Sequence, residues 1–346
     1  MSPPLLHTGG VRASGPLGPG ALPRHGTGLS PALRTPPATS TSRDSRSGAS
    51  RAGAAPGSDP SLLVVGPGVL GQHLAKLWMD AHGPGTVAGL TQTDSNHARL
   101  RRLGIAPHSL ADPPTSTFRD VVFSAPPSAS ADYPGEVARA LERWSGEGAF
   151  VFTSSAAVYA VDGGEAARED SPVVALGASP RTDRLLRAER SVRAAGGCVV
   201  RLVGLYHSLR GPHTFYLKQS GDADRWGGAL VNLVHYQDAA GLTLAVLQHR
   251  GPDGSPPRGE TFVACDDEPI TLQGIMDATM DLPRYAATAA GPLRFVGAPG
   301  SSVGKRMTNP ATRRALGWEP RFKSFSAFMA GGAEDWYLEL ESALAA

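Results

Sequence analysis

Residues 61–78 read SLLVVGPGVLGQHLAKLW, and this stretch decides the fold. SLLVV is a short apolar run bounded by glycine, the pattern of a buried strand. GPGVLG follows, and then QHLAKLWMDAHG, in which Leu74, Leu77 and Trp78 fall at i, i+3 and i+4 and give a helix one buried face. The order is strand, glycine turn, helix. Gly66, Gly68 and Gly71 are spaced G-x-G-x-x-G, and each has its own physical task. Gly66 allows the tight turn, Gly68 lets a phosphate reach the backbone without meeting a Cβ, and Gly71 lets the helix pack closely on the strand. Val69 and Leu70 open the helix, whose free N–H groups and positive dipole end suit a pyrophosphate. The stretch predicts an α/β protein: a doubly wound parallel sheet of Rossmann type that binds a dinucleotide.

A second strand, TVAGL at 86–90, leads into TQTDSNHARLRRLGI. A site committed to NAD often ends this strand in Asp or Glu, which binds the ribose 2′-hydroxyl. Here the end is Leu90-Thr91, with no acid before Asp94. Thr91, Thr93, Ser95 and Asn96 follow, with Arg99, Arg101 and Arg102 on the next helix. This set suits a 2′-phosphate, so the expected cofactor is NADP, with NAD second; the arginines read equally well as a solvated helix face. A third strand, RDVVFSAPP at 119–127, is stopped by two prolines. Ser124, Ala125 and Pro126 then fall at its carboxyl end, where open parallel sheets bind ligands and small residues leave room.

The chain has 346 residues and a net charge of +2, unevenly spread. Residues 1–58 hold six arginines against one acid, a balance of +5 that leaves −3 for residues 59–346. Clustered cations on a folded face are what nucleic acid needs, so nucleic acid is not an expected partner. The Arg- and Ser-rich, acid-poor N-terminal segment reads as an organellar transit peptide, or else as a disordered linker. Its Pro, Gly, Ser and Thr content points to the chloroplast, with the mitochondrion second. No apolar run approaches the roughly 20 residues of a membrane helix. The two cysteines, Cys198 and Cys265, form no CxxC pair and read as buried small hydrophobes in a reducing compartment. The histidines are scattered and no metal site is expected.

GAFVFTSSAAVYA, at 148–160, resembles the extended short-chain dehydrogenase/reductases, the nucleotide-sugar epimerase and dehydratase group, in which a strand ends in a serine-rich turn followed by V-Y-G. Ser155 stands at the family's substrate-holding serine and Tyr159 at the V-Y-G tyrosine. CVVRLVGLY (198–206), LVNLVHYQDAA (230–240), ETFVACDDEPITLQGIM (260–276) and RMTNPATRRALGWEPRF (306–322) extend the likeness over residues 59–325. It is most like the atypical branch, which keeps the glycines and loses the catalytic pair. Where the family has P-Y-x-x-x-K, this chain has Pro180, Arg181, Thr182, Asp183, Arg184 and Leu185, then the family's Glu189.

The resemblance implies an NAD(P)-dependent oxidoreductase or epimerase, a small-molecule substrate and a dimer face made of the EVARALERW helix and the 181–195 helix. The missing pair argues against the family mechanism. In the family the tyrosine is the acid or base; its ordinary pKa is about 10 and the lysine lowers it. Guanidinium stays protonated, so Arg181 cannot replace the tyrosine. Arg181 can instead grip a carboxylate or phosphate as a fork, or simply pair with Asp183 or Glu189. YHSLRGPHTFYLKQSG, at 206–221, supplies His207 and His213 as alternative acid/base groups, although each also reads as structural. His235 reads as a cap for the next helix with Asp238. The candidate catalytic residues are thus Ser155, His213 and Arg181. Two readings stay open: an enzyme, or a dinucleotide-binding sensor or assembly factor without turnover. The expected organisation is a Rossmann domain over 59–203 and a smaller substrate-side part over 204–346, from which 230–247 returns to the Rossmann side.

Overall fold

A computed structural model describes residues 61–300 and 303–345. The segment read as a transit peptide lies outside them. Seven parallel strands form one sheet: β1 (Leu62–Val65), β2 (Val87–Thr91), β3 (Ala106–Ser109), β4 (Asp120–Phe123), β5 (Phe150–Ser155), β6 (Cys198–Leu202) and β7 (Thr261–Ala264), in the spatial order β7-β6-β5-β4-β1-β2-β3. All four residues of β1 and of β4 are buried. Helices cover both faces, so these strands show no alternation and are apolar apart from Asp120 at the start of β4. Val65 lies level with Leu90 of β2 and Phe123 of β4. The carboxyl ends of the three cofactor strands therefore meet at one edge. The chain runs outward from β1 to β3 and then returns to β4 on the other side of β1, which makes this edge a topological switch point.

The helices are α1 (Val69–His82), α2 (His97–Arg102), α3 (Tyr133–Leu141), α4 (Pro180–Ala194), α5 (Pro212–Tyr216), α6 (Tyr236–Gln248), α7 (Leu272–Met280), α8 (Pro283–Ala286), α9 (Pro310–Leu316), α10 (Phe325–Ala330) and α11 (Trp336–Ala345). On one face of the sheet α1 and α6 share a core through Leu70, Leu74, Trp78, Leu242 and Val246. On the other, α3 and α4 pack through Tyr133, Val137, Leu185 and Val192. SPRTDRLL starts a helix for local reasons. The Ser179 hydroxyl accepts the Thr182 N–H, and Pro180 occupies the first turn, where no N–H partner is needed.

A third core, with Tyr206, Leu233, Ile275, Phe325 and Phe328, builds the C-terminal part from α5, α7, α8 and α10. The chain moves between the two cores more than once. Residues 233–235 pair in parallel with 204–206, and α6 then lies against α1. β7 completes the main sheet beside β6. The segment 230–247 thus lies on the Rossmann side through α6, and β7, further along the chain, joins the main sheet as well. Among the described residues no helix is long and apolar enough to cross a membrane.

Candidate dinucleotide cleft

The three glycines differ in what surrounds them. Gly66 has φ +76°, and a Cβ there would lie 2.6 Å from the Ala125 backbone. Gly71 packs so closely that a Cβ would lie 2.8 Å from Val64 Cγ1. Gly68 differs: it is exposed, and a Cβ would meet nothing nearer than the Gly66 carbonyl at 4.0 Å. The protein itself therefore demands glycine at 66 and 71, and leaves open space over 68. The turn is also pinned by side chains. Ser124 Oγ donates to the Gly66 carbonyl at 2.9 Å, and the buried Gln72 Nε2 donates to the Pro67 carbonyl at 3.3 Å. Gln72 escapes sequence reading, since a glutamine in a helix signals nothing by itself.

A cleft of about 480 Å³ opens beside this turn. Gly66, Gly68, Thr91, Ser124, Ala125 and Pro126 line it, as does Asn96. Val69, Leu70 and Gly71 form the start of α1 without lining the cleft. Thr93 does not line it either; its hydroxyl is exposed and bonded to Ser95 at 3.0 Å. The Thr91 hydroxyl is already committed, to His97 Nε2 at 2.8 Å and to the His108 carbonyl at 2.9 Å.

Arg99 is diverted from the role of a phosphate partner. Its Nε donates to Gln72 Oε1 at 3.0 Å, and its Nη2 donates to the Tyr337 hydroxyl at 3.1 Å and Glu341 Oε1 at 2.6 Å. The glycine turn is thus tied through Gln72 and Arg99 to the last helix, whose Glu341 lies 242 residues beyond Arg99. Arg101 and Arg102 are exposed.

At the end of β5, Ser155 is half-buried and its Oγ accepts the Ala157 N–H at 3.2 Å, capping a short 3-10 turn. Its neighbour Ser154 is buried and donates to Glu189 Oε1 at 2.6 Å. Glu189 also accepts from Arg201 Nε and Nη2, at 3.1 and 2.8 Å, and from Arg193 at 2.9 Å. Burial alone would raise its pKa; Arg201 above all, with Ser154 and Arg193, outweighs burial and holds the carboxyl below its ordinary value. Arg201 also lies 4.7 Å over the ring of Tyr159, which is buried.

Arg181 is exposed on the first turn of α4. It pairs with neither expected acid: Glu189 serves Arg201 and Arg193, and Asp183 accepts the Gly177 N–H. Leu185, at the family's lysine position, is buried in the core beside α3. No charge can be stationed there without opening that core.

His213 is not at the cleft. Gly211 packs against the His213 ring, where a Cβ would lie 2.9 Å from Nδ1, and His213 is 0% exposed between the rings of Tyr285 and Phe325. It belongs to a buried group with His73, His207, His235 and Asp335. The Asp335 carboxylate accepts from Ser208 N–H at 2.7 Å, Ser208 Oγ at 2.9 Å, Leu338 N–H at 2.9 Å and His235 Nε2 at 3.2 Å. His235 caps α6 through its Nδ1, while Asp238 accepts N–H groups from Arg321 and Phe322. Burial pushes His73 down to about 3 and both His207 and His213 down to about 4. These three are neutral in the folded protein while the unfolded chain titrates near 6.5. Their contribution to stability is therefore complete above about pH 6.5 and is lost as pH falls toward 4. Asp266, raised by burial to about 8, acts in the opposite sense, as do Asp120 and Asp238, which burial also raises. His213→Phe isolates one histidine: between pH 6.5 and 4.5 the variant's stability, measured by urea unfolding, should fall less steeply with pH than the parent's, by about 1.4 kcal/mol per pH unit.

The sequence did not announce Glu136, Arg139, Glu142 and Arg143, which line the cleft, nor Lys305, which like Ser155 lies outside its lining. Lys305 comes from a short strand, Gly304–Met307, paired with Gly163–Ala167. Its Nζ donates to the carbonyls of Ala156 at 3.4 Å and Tyr159 at 3.1 Å, in the turn that follows Ser155. Asn232 fixes the lysine backbone, donating to the Lys305 carbonyl and accepting from the Met307 N–H. Burial lowers the ammonium pKa, against the opposing charge of Asp162. Among the described residues no cluster of His, Cys, Asp and Glu is arranged to hold a metal ion.

No protein-family model and no curated protein matches the sequence. Solved structures do match the fold. A conserved protein of unknown function from Silicibacter pomeroyi is 19% identical, with a TM-score of 0.63, over 79% of this chain and 99% of its own. UDP-glucuronic acid 4-epimerase from Bacillus cereus, solved with NAD, is 15% identical with a TM-score of 0.61, over 81% of this chain and 98% of its own. UDP-glucose 4-epimerase from Thermotoga maritima, solved with UDP-glucose, is 15% identical with a TM-score of 0.59, over 81% and 99%. The chain thus has the doubly wound parallel fold found in nucleotide-sugar epimerases.

Proposed function

We propose that the protein binds a nicotinamide dinucleotide at the Gly66–Gly71 turn, NADP ahead of NAD, and uses it in an oxidoreductase or epimerase reaction on a small polar metabolite. The observation that carries this reading is Gly68. Its neighbours Gly66 and Gly71 are glycine for the protein's own packing, whereas Gly68 borders open space where a phosphate can approach. The start of α1 offers its first N–H groups to the pyrophosphate. Asn96, which lines the cleft, would meet the ribose side. The bound dinucleotide would supply hydride transfer. Ser155 would present its hydroxyl to a substrate oxygen, and Lys305, beside the same turn, would hold or accept a proton there in place of the absent tyrosine and lysine. The acid-poor segment 1–58 supports a chloroplast location, with the mitochondrion second. The adjacent helices α3 and α4 support a homodimer through that face.

Calorimetric titration of the protein with NADPH and NADH tests the reading. The expected result is micromolar binding, several-fold tighter for NADPH; no binding of either removes it. A second reading, a sensor or assembly factor without turnover, is favoured by the burial of Leu185 and His213. Slow oxidation of NADPH with a panel of carbonyl compounds, lost in Lys305→Met, would decide for the enzyme.

A further inference from the structure

A second cavity, of about 400 Å³, lies in the C-terminal part between the 208–218 segment, α8 and α11. It shares no lining residue with the dinucleotide cleft. Its volume falls within the roughly 300–1,000 Å³ of small-molecule sites. Leu209, Leu217 and Leu338 give it an apolar wall, and Lys218 and Arg284 are the charged residues that line it. No carboxylate stands among the lining residues. The nearby acid, Asp335, is spent behind the wall on Ser208, Leu338 and His235.

Arg284 is held in place without being neutralised. Its Nη2 donates to the Ala333 carbonyl and, at 3.3 Å, to the Tyr285 hydroxyl, and its guanidinium lies 4.8 Å over the Tyr285 ring. The ring is itself fixed, since the Tyr285 hydroxyl donates to the Ser208 carbonyl at 2.6 Å. Among the described residues neither Arg284 nor Lys218 makes an ion pair, and Lys218 makes no side-chain hydrogen bond. A guanidinium already oriented by stacking loses little entropy on gripping an anion. Ordinary surface arginines and lysines lack an apolar wall between them.

We propose that this cavity binds a small organic anion, with a carboxylate or phosphate head held by Arg284 and Lys218 and an apolar body against Leu209, Leu217 and Leu338. The site does not depend on dinucleotide binding. The test is titration of the whole protein with phenylacetate, phenyl phosphate and the uncharged 2-phenylethanol. At least one anion should saturate with Kd below about 1 mM, and the alcohol should not. The stronger of the two anions identifies the head group. Arg284→Gln should weaken binding by about tenfold, the loss of a charge-assisted contact, and Lys218→Gln by less. Thr288→Trp, at an exposed threonine of the rim, should fill the cavity and abolish binding while the melting temperature holds. Absence of saturation by both anions overturns the proposal. So does unchanged affinity in Arg284→Gln and Thr288→Trp, or competition by NADPH, which would place the anions in the other cleft.

Discussion

Gly66→Ala should cost about 3 kcal/mol of stability and abolish dinucleotide binding. Two strains add at this position. An alanine at φ +76° pays roughly 1–2 kcal/mol for the left-handed backbone. Its Cβ, 2.6 Å from the Ala125 backbone, must also push β4 away from β1, a form of overpacking that costs roughly 1–3 kcal/mol. Gly68→Ala is the informative partner. Gly68 has φ −73° and open space above it, so stability should change by no more than about 1 kcal/mol, the difference between alanine and glycine at a helix N-cap. Binding should nevertheless fall by about 100-fold, because the new methyl occupies the phosphate's approach; that loss is about 2.7 kcal/mol. Thermal unfolding and titration of the two variants separate the effects. A Gly68→Ala protein that binds NADPH as the parent does would show that no phosphate sits on this turn.

Glu189→Ala is expected to cost about 3–5 kcal/mol, the usual price of stranding a buried charge. Glu189 is 0% exposed and Arg201 5%, and removing the carboxylate leaves the guanidinium with only the Tyr159 ring for company. Replacing both, as Glu189→Leu with Arg201→Met, should recover most of the loss, since an apolar pair of similar size does not pay for buried charge. The sign of the pH dependence follows from the lowered carboxyl. Its contribution is complete above the ordinary glutamate value of about 4.3 and is lost as pH falls below it. Urea unfolding at pH 7 measures the single and double variants. A loss under about 1 kcal/mol in Glu189→Ala would mean that water or another acid replaces the carboxylate. The change should also reach the site, because Glu189 holds Ser154, the neighbour of Ser155.

What the sequence showed and missed can be traced to particular residues. The β1 turn was legible because its demands are local: a four-residue strand, three glycines and a 3.6-residue period occur within about 20 positions. The start of α4 was legible in the same way, from Ser179 and Pro180. β3 was not, because APHS has no alternation and contains a proline. It survives as an edge strand, bonded to β2 alone, where a missing N–H is tolerated. The loop histidines misled for a related reason. RGPH has the composition of a ligand loop, yet His213 is buried among aromatic rings that come from residues 285 and 325.

By itself the sequence determined the parallel α/β fold, the glycine turn with the close packing at 66 and 71, and the absence of the tyrosine and lysine at 181 and 185. Each is a matter of neighbours along the chain, where residue type and spacing fix the local geometry. Only the tertiary structure decided where the polar groups come to rest. It took Arg99 away to Glu341, enclosed His213, and brought Lys305 to the turn after Ser155 across about 150 residues of chain. Such contacts depend on how layers pack and which charges can be paired on burial, and no local pattern encodes that choice.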